Sequence, residues 1–330
     1  MKYFLCLTSL VLFAVASPQP ATAATLDPQP ARQAGDEAVE LNVVIHLLDL
    51  LRIDDAEQTA FVDFALWVSW HDESLASPGA PARFFRPTEI WVPNLQIMNS
   101  LTLTNRRVDV VEVDENGNAY YRRRLVGTIS IPRDLTDFPV DEHRLRIPIV
   151  AAGMSRDVAL VIDERLTGQA ESFSIQEWDV GPGKAEISEF VAAGESFPML
   201  SYEWEVRRKL GYYIWKVILP LAMVVMMSWV VFWLDPKQAG PQIGIAATSI
   251  LTLIAYRFTL GFLVPRLSYL TRLDFFITGA SLLVFAALVE ALATVSLAEE
   301  RPALARRIDV TSRRLFPAAF VAVTLVSFWL

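Results

Sequence analysis

The residues with the most to say about chemistry are hydroxyls in an apolar setting. Residues 241–263 read PQIGIAATSILTLIAYRFTLGFL, with Thr248, Ser249, Thr252, Thr259 and Arg257 set among aliphatic side chains. At helical spacing one stripe collects Gly244, Thr248, Leu251, Ala255, Phe258 and Phe262. It is small and polar at the Gly244 end and bulky and apolar toward Phe262. Hydroxyls replace part of an ion's hydration, and rings of apolar side chains close a water path by dewetting. Small residues and Ser/Thr also pack membrane helices together, so the stripe alone fits a water path or a packing seam. Covalent chemistry has little support. The chain has no nucleophile elbow, Gly-rich phosphate loop or metal-ligand spacing. Its histidines are His46, His71 and His143, too few for a His-rich metal site. No cofactor or metal is expected, and a membrane-tethered enzyme is the weakest reading.

The elements that must position this stripe follow from composition and pattern. The chain has 330 residues, 53% of them hydrophobic, which is too apolar for a soluble protein of this size. A formal charge of −8 argues against nucleic acid as a partner. Residues 1–23 read as a secretory signal, with Lys2, an apolar stretch to Val15 and the small-residue site Ala21-Thr22-Ala23. The only cysteine, Cys6, lies within it, so the processed chain would carry neither disulfide nor thiol chemistry.

Residues 24–40 form a polar, Pro-bearing leader. From Leu41 strand patterns begin. Val62, Phe64, Leu66, Val68 and Trp70 alternate with Asp63, Ala65, Trp67 and Ser69, the period of a strand with one buried face. Further strands are expected at 41–50, 108–113, 120–131, 144–150, 158–162, 187–191 and 201–206. Asn116-Gly117 marks a hairpin turn. Many short strands with turns between them predict an antiparallel β-sandwich over 24–209. An all-α membrane domain over 210–330 follows, with spans at 212–234, 241–263, 275–297 and a short fourth at 315–330. The link before the fourth span carries Arg301, Arg306, Arg307, Arg313 and Arg314, which marks the cytoplasmic side. That places the sandwich outside the cell or in the periplasm and the protein in the inner membrane, as a multi-pass protein in contact with lipid.

This order resembles the pentameric ligand-gated ion channels of the Cys-loop superfamily, and their bacterial branch most closely. The resemblance runs from about Leu41 to Leu330. It is carried by Trp70-His71-Asp72, Trp91-Val92-Pro93 followed by Asn99, Phe138-Pro139-Val140-Asp141 and Glu177-Trp178. In the membrane half it is carried by Arg208 with Tyr212-Tyr213 and Ile218-Leu219-Pro220, by Ser228-Trp229 and Phe232-Trp233, and by Leu253-Ile254-Ala255-Tyr256 with Pro265-Arg266-Leu267-Ser268-Tyr269. The cysteines that flank the Phe-Pro loop in animal receptors are absent, as in bacterial members.

The resemblance implies a homopentamer with the stripe lining a central pore, Leu251 and Phe258 as its apolar constriction, and a small-molecule agonist or protons as the trigger. It implies coupling between the two domains at Asp54, Asp55, Phe138, Pro139, Asp141, Arg208, Pro265 and Arg266. Arginine suits that place because its planar fork holds two carboxylates and stays charged. The family's aromatic agonist box, formed between subunits, is poorly filled: Met98, Trp67, Trp178 and Phe197 are the candidates, and the hairpin 191–201 looks short for a capping loop. Glu142, His143, Asp54 and Asp55 leave a proton trigger open. Family cation channels usually carry a glutamate before the second span, where this chain has Ala239-Gly240-Pro241-Gln242. That is closer to anion channels, yet characterised bacterial relatives mostly pass cations, and the expectation leans to cations. Arg257 is expected to snorkel outward, and Glu290 to sit near the cytoplasmic interface. The rival reading is a non-conducting membrane sensor that binds a ligand with its sandwich.

Overall fold

The computed structural model describes residues 38–152, 158–260 and 267–329. The expected signal at 1–23 and Phe262, Pro265 and Arg266 of the functional set lie outside the described residues.

The N-terminal half is two facing β-sheets. Strands are β1 (Val39–Asp54), β2 (Thr59–His71), β3 (Arg83–Phe85), β4 (Leu95–Ile97), β5 (Thr104–Asn105) and β6 (Val111–Val113). Then come β7 (Asn118–Ser130), β8 (Glu142–Ala151), β9 (Val158–Ile162), β10 (Gly168–Gln169), β11 (Trp178–Ala192) and β12 (Glu195–Arg208). One sheet orders β10-β1-β2-β7-β6-β3, with β9 also on β1 and β5 on β7; the other orders β11-β12-β8-β4. The antiparallel expectation holds for most pairs, but β9 and β10 run parallel to β1. They return beside its outer edge after the chain has crossed to the second sheet in β8, so no hairpin joins them to it.

Alternation works as expected in β2, where Val62, Phe64, Leu66, Val68 and Trp70 are buried between the sheets. Asp63, on the opposite face, is also buried, and Arg124 of β7 meets it with Nη2–Oδ2 at 2.6 Å. The Asn116-Gly117 turn joins β6 to β7: Asp114 Oδ1 accepts from the Asn116 and Asn118 amides, and Gly117 takes φ +85°. The hairpin 191–201 is only the tip of a much longer one. Its arms, β11 and β12, span 15 and 14 residues and turn at Ala193–Gly194.

Four apolar helices follow: α1 (Gly211–Trp233), α2 (Ala239–Leu260), α3 (Arg272–Leu297) and α4 (Pro302–Trp329). The last starts at Pro302 rather than at Leu315. The arginine-rich link is the first turns of this helix, since Arg301 to Arg314 contains no helix breaker once Pro302 has opened it. In α1, Pro220 has no N–H for the Lys216 carbonyl, and the helix widens to a π turn at Ile214–Ile218. Tyr256 of α2 donates its hydroxyl to the Val217 carbonyl at 2.7 Å and lies 3.3 Å from that of Lys216. Carbonyls loosened by the proline are thus satisfied by a neighbouring helix, as an apolar membrane demands.

Gly183 shows how tightly the β11-β12-β8-β4 sheet is fitted. It follows the irregularity between Val180 and Gly183 in β11, and a Cβ there would lie 2.0 Å from the Tyr202 hydroxyl. Burial pushes the Tyr202 phenol up to about 12, and its hydroxyl donates to the Gly168 carbonyl at 2.8 Å. Gly183→Ala is expected to cost about 1–3 kcal/mol through overpacking. Thermal melts of the detergent-solubilised protein would show it, and an unchanged melting temperature would mean that β11 shifts freely at this point.

Candidate functional site

The seam between the sandwich and the helices is built on Arg208, the last residue of β12. Its side chain is 3% exposed. Nε donates to Asp141 Oδ1 at 2.6 Å and Nη2 to Asp141 Oδ2 at 2.8 Å. Nη1 donates to Asp55 Oδ2 at 2.7 Å and Nη2 to Asp55 Oδ1 at 3.0 Å. One guanidinium thus holds a carboxylate from the β1–β2 turn and another from the loop before β8. Aromatic rings enclose it: the guanidinium carbon lies 4.1 Å from the Trp178 ring centre, 4.7 Å from Phe138 and 5.7 Å from Tyr213. Asp54 has a different task and caps the turn by accepting from the Ala56 and Glu57 amides.

Burial opposes charge on Asp141, but the Arg208 bonds and the contact with His143 outweigh it and hold its carboxyl well below the usual range. Burial likewise opposes charge on Arg208, and its bonds to Asp141 and Asp55 overcome that and raise its pKa. Two groups here carried no motif and were not singled out from sequence. Arg133 puts Nη2 on Asp55 Oδ1 at 2.9 Å, and burial, only partly offset by Asp55, lowers its pKa. Arg272 donates Nε to Asp137 Oδ1 at 2.8 Å. His143 was considered only as a trigger; its Nε2 lies 2.6 Å from Asp141 Oδ2.

The loop that carries Phe138 and Pro139 rests on the start of α3. The Leu273 amide donates to the Phe138 carbonyl at 3.1 Å and the Arg272 amide to that of Thr136 at 3.0 Å. Tyr269 accepts from the Leu135 amide at 2.9 Å. Arg208 therefore connects to the α2–α3 loop through one short segment.

Below the seam, α2 divides its residues sharply. Gln242, Ala246, Ser249, Leu253 and Leu260 are buried against the other helices. Gly244, Thr248, Leu251, Ala255 and Phe258 are exposed in the single subunit, Leu251 at 68% and Phe258 at 73%, against 5% for Leu253. Thr248 donates its hydroxyl to the Gly244 carbonyl at 2.7 Å and Thr252 to that of Thr248 at 2.8 Å. Gln242, which follows the Gly-Pro pair, turns away from the exposed face and donates to Thr294 of α3 at 3.3 Å.

The four ligand candidates are not brought together. Trp178 starts β11 and is 2% exposed beneath Arg208, whereas Phe197 sits near the far turn, paired with Phe190. Twelve residues of strand separate these levels, about 40 Å at roughly 3.3 Å per residue. One aromatic box cannot use both, and Trp178 belongs to the seam. Trp67 is half-buried in mid-β2. Met98 borders a cavity of about 610 Å³ lined also by Asn99, Arg144, Arg146 and Glu203.

A sensing sandwich riveted in this way to a four-span bundle defines a multi-pass membrane receptor with its N-terminal domain outside. The chain belongs to the neurotransmitter-gated ion-channel family. Residues 26–208 match the "Neurotransmitter-gated ion-channel ligand binding domain" and residues 217–303 the "Neurotransmitter-gated ion-channel transmembrane region". A "Proton-gated ion channel" of Gloeobacter violaceus is 25% identical over 305 residues, 90% of this chain and 84% of the relative. The gamma-aminobutyric acid receptor subunit beta-4 of Gallus gallus is 22% identical over 271 residues, 78% of this chain and 55% of that subunit.

Two outcomes test the seam. Arg208→Lys keeps the charge but not the fork, and should lower stability by about 1–3 kcal/mol through unsatisfied buried carboxylate oxygens; an unaltered melting temperature would mean that the charge alone, without the fork, holds the seam. The second concerns pH. The folded Asp141 value is depressed, so its contribution is present above the unfolded value near 3.9 and lost as pH falls through the folded value. The stability difference between wild type and Asp141→Asn should be present at neutral pH and shrink as pH falls below about 4.

Proposed function

We propose that five copies of this chain enclose a gated ion pore lined by α2, with the sandwich domains as the sensor. One observation carries the reading: the exposed face of α2 is chemically unlike the exposed faces of its neighbours. On α3 and α4 the exposed large residues include Phe275, Leu282, Phe285, Leu315, Val321 and Leu325, a surface suited to lipid. On α2 three hydroxyls, Thr248, Thr252 and Thr259, are exposed within the span beside Leu251, Ile254 and Phe258. One such face cannot enclose water alone, and closing it into a ring requires further subunits.

The resting barrier is assigned to Leu251, with Phe258 above it. The pore prefers cations modestly. Thr248 and Thr252 give their hydroxyl hydrogens to helix carbonyls, which leaves lone pairs to face a cation. The mouth itself carries no acid nearer than Asp235, and that limits the preference. The trigger is a small-molecule agonist or protons acting on the sandwich. The Arg208 cluster, the loop at Leu135–Val140 and Tyr269 carry its effect to the helices, together with Pro265 and Arg266, which precede Tyr269 in sequence.

If five Leu251 side chains hold the pore dry, exposing each in part is worth about 0.5 kcal/mol, a fraction of the 1.5–3 kcal/mol for full burial. Over five subunits that is about 2.5 kcal/mol, nearly a hundredfold in the open–closed ratio. Leu251→Ser should therefore conduct without agonist, and Leu253→Ser, on the buried face, should not. Single-channel recording of both decides; silence in both would mean that another face lines the pore. Pro241→Glu should move the reversal potential in asymmetric salt strongly toward cations, and no movement would place the mouth elsewhere.

A further inference from the structure

The membrane domain contains an ionisable pair that neither pore nor seam uses. Glu290 lies on α3 and Asp309 on α4, with their carboxyl groups within hydrogen-bonding reach of each other. Asp309 is 1% exposed. Among the described residues, both Glu290 oxygens and Asp309 Oδ1 are buried with no donor. Two bare carboxylates cannot face each other in such a place, since each loses its water and repels the other.

The surrounding groups narrow the occupant. From α4, the Ser312 hydroxyl faces Glu290 and Arg313 lies near Asp309. Arg313 is itself committed through Nε to the Phe232 carbonyl at 2.8 Å. From the α1–α2 turn, Asp235 faces Asp309. From α2, Gln242 reaches Thr294, one turn beyond Glu290. No cluster of three or more metal-ligating side chains occurs among the described residues. Beside Asp309 opens a cavity of about 600 Å³ at the cytoplasmic end, also lined by Asp235, Lys237, Arg306 and Arg313. Its three basic side chains repel a metal cation. A proton needs no coordination shell and passes through water.

We propose that Glu290 and Asp309 form a binding site for one proton per subunit, shared between the two carboxyl groups and exchanged with the cytoplasm through this cavity. One carboxyl donates its O–H to the other, and the hydrogen bond ties α3 to α4 at their cytoplasmic ends. Removing the proton leaves two anions facing each other and loosens that contact.

The test uses the full-length protein in lipid vesicles. Infrared spectra of wild type at neutral pH should contain the carbonyl stretch of a protonated carboxylic acid, sensitive to exchange into D2O. Both Glu290→Gln and Asp309→Asn should lack it. Each amide can donate to the remaining carboxylate, so both variants keep the contact without a titrating proton. Wild-type melting temperature should fall as pH rises, and the fall should be absent in both variants. If one variant fails to assemble, the other serves alone. A band that survives both substitutions, or an equal pH slope in variant and wild type, overturns the proposal. So does a wild type without the band whose melting temperature rises with added sodium, potassium or calcium ions, which would make the occupant a metal cation.

Discussion

A buried guanidinium with two carboxylates is the interaction on which the two halves of this molecule depend. Desolvating three charges costs several kcal/mol per ion, and the cost is offset only if every oxygen and N–H finds a partner. Arg208 meets that condition with four bonds to two aspartates, a fifth to the Tyr213 hydroxyl at 3.3 Å, and three aromatic rings around it. Asp55 comes from the turn after β1, Asp141 precedes β8, Phe138 comes from the intervening loop and Tyr213 from α1. No one of these segments can move far without exposing a charge to an apolar wall, so they move together or the cluster breaks.

The membrane half rests on a different constraint. In lipid a polar group must be satisfied from within the protein, and side-chain hydroxyls do so by bonding back to their own helix. Ser249 donates to the Ile245 carbonyl, Ser281 to that of Ile277 and Thr324 to that of Phe320. A hydroxyl is therefore no proof of a water path. On α2 the hydroxyls at 248, 252 and 259 point away from the bundle along the span, whereas Ser249 and Thr294 point into it and the exposed Ser296 and Thr311 lie toward the facing ends of α3 and α4.

Much of this could be read from residue types and spacing, for identifiable reasons. Period-two burial in β2 and the apolar runs of α1 to α3 are local signals, and local signals survive in sequence. The Arg208–Asp141 contact joins residues 67 positions apart, and only the family's motifs pointed to it. Choosing Asp55 over Asp54 depends on which carboxylate the turn uses to cap its own amides. Arg133 and Asp309 carry no motif, and nothing in the chain marks them as buried. Trp178 was drawn toward the ligand box by its aromatic ring, whereas its place at the start of a 15-residue strand put it at the opposite end.

The hydroxyl of Tyr256 has a consequence for how α2 can move. It is bonded to carbonyls in the widened turn of α1, so sliding at that level would leave those oxygens bare in lipid. A tilt of α2 about Tyr256 would keep those bonds. At about 1.5 Å per residue Leu251 lies roughly 7 Å along the axis from that point and Gly244 roughly 18 Å. A given tilt sweeps the Gly244 level more than twice as far as the Leu251 level. In the pore proposed for α2, such a tilt would change the bore at the Gly244 level more than at the Leu251 level.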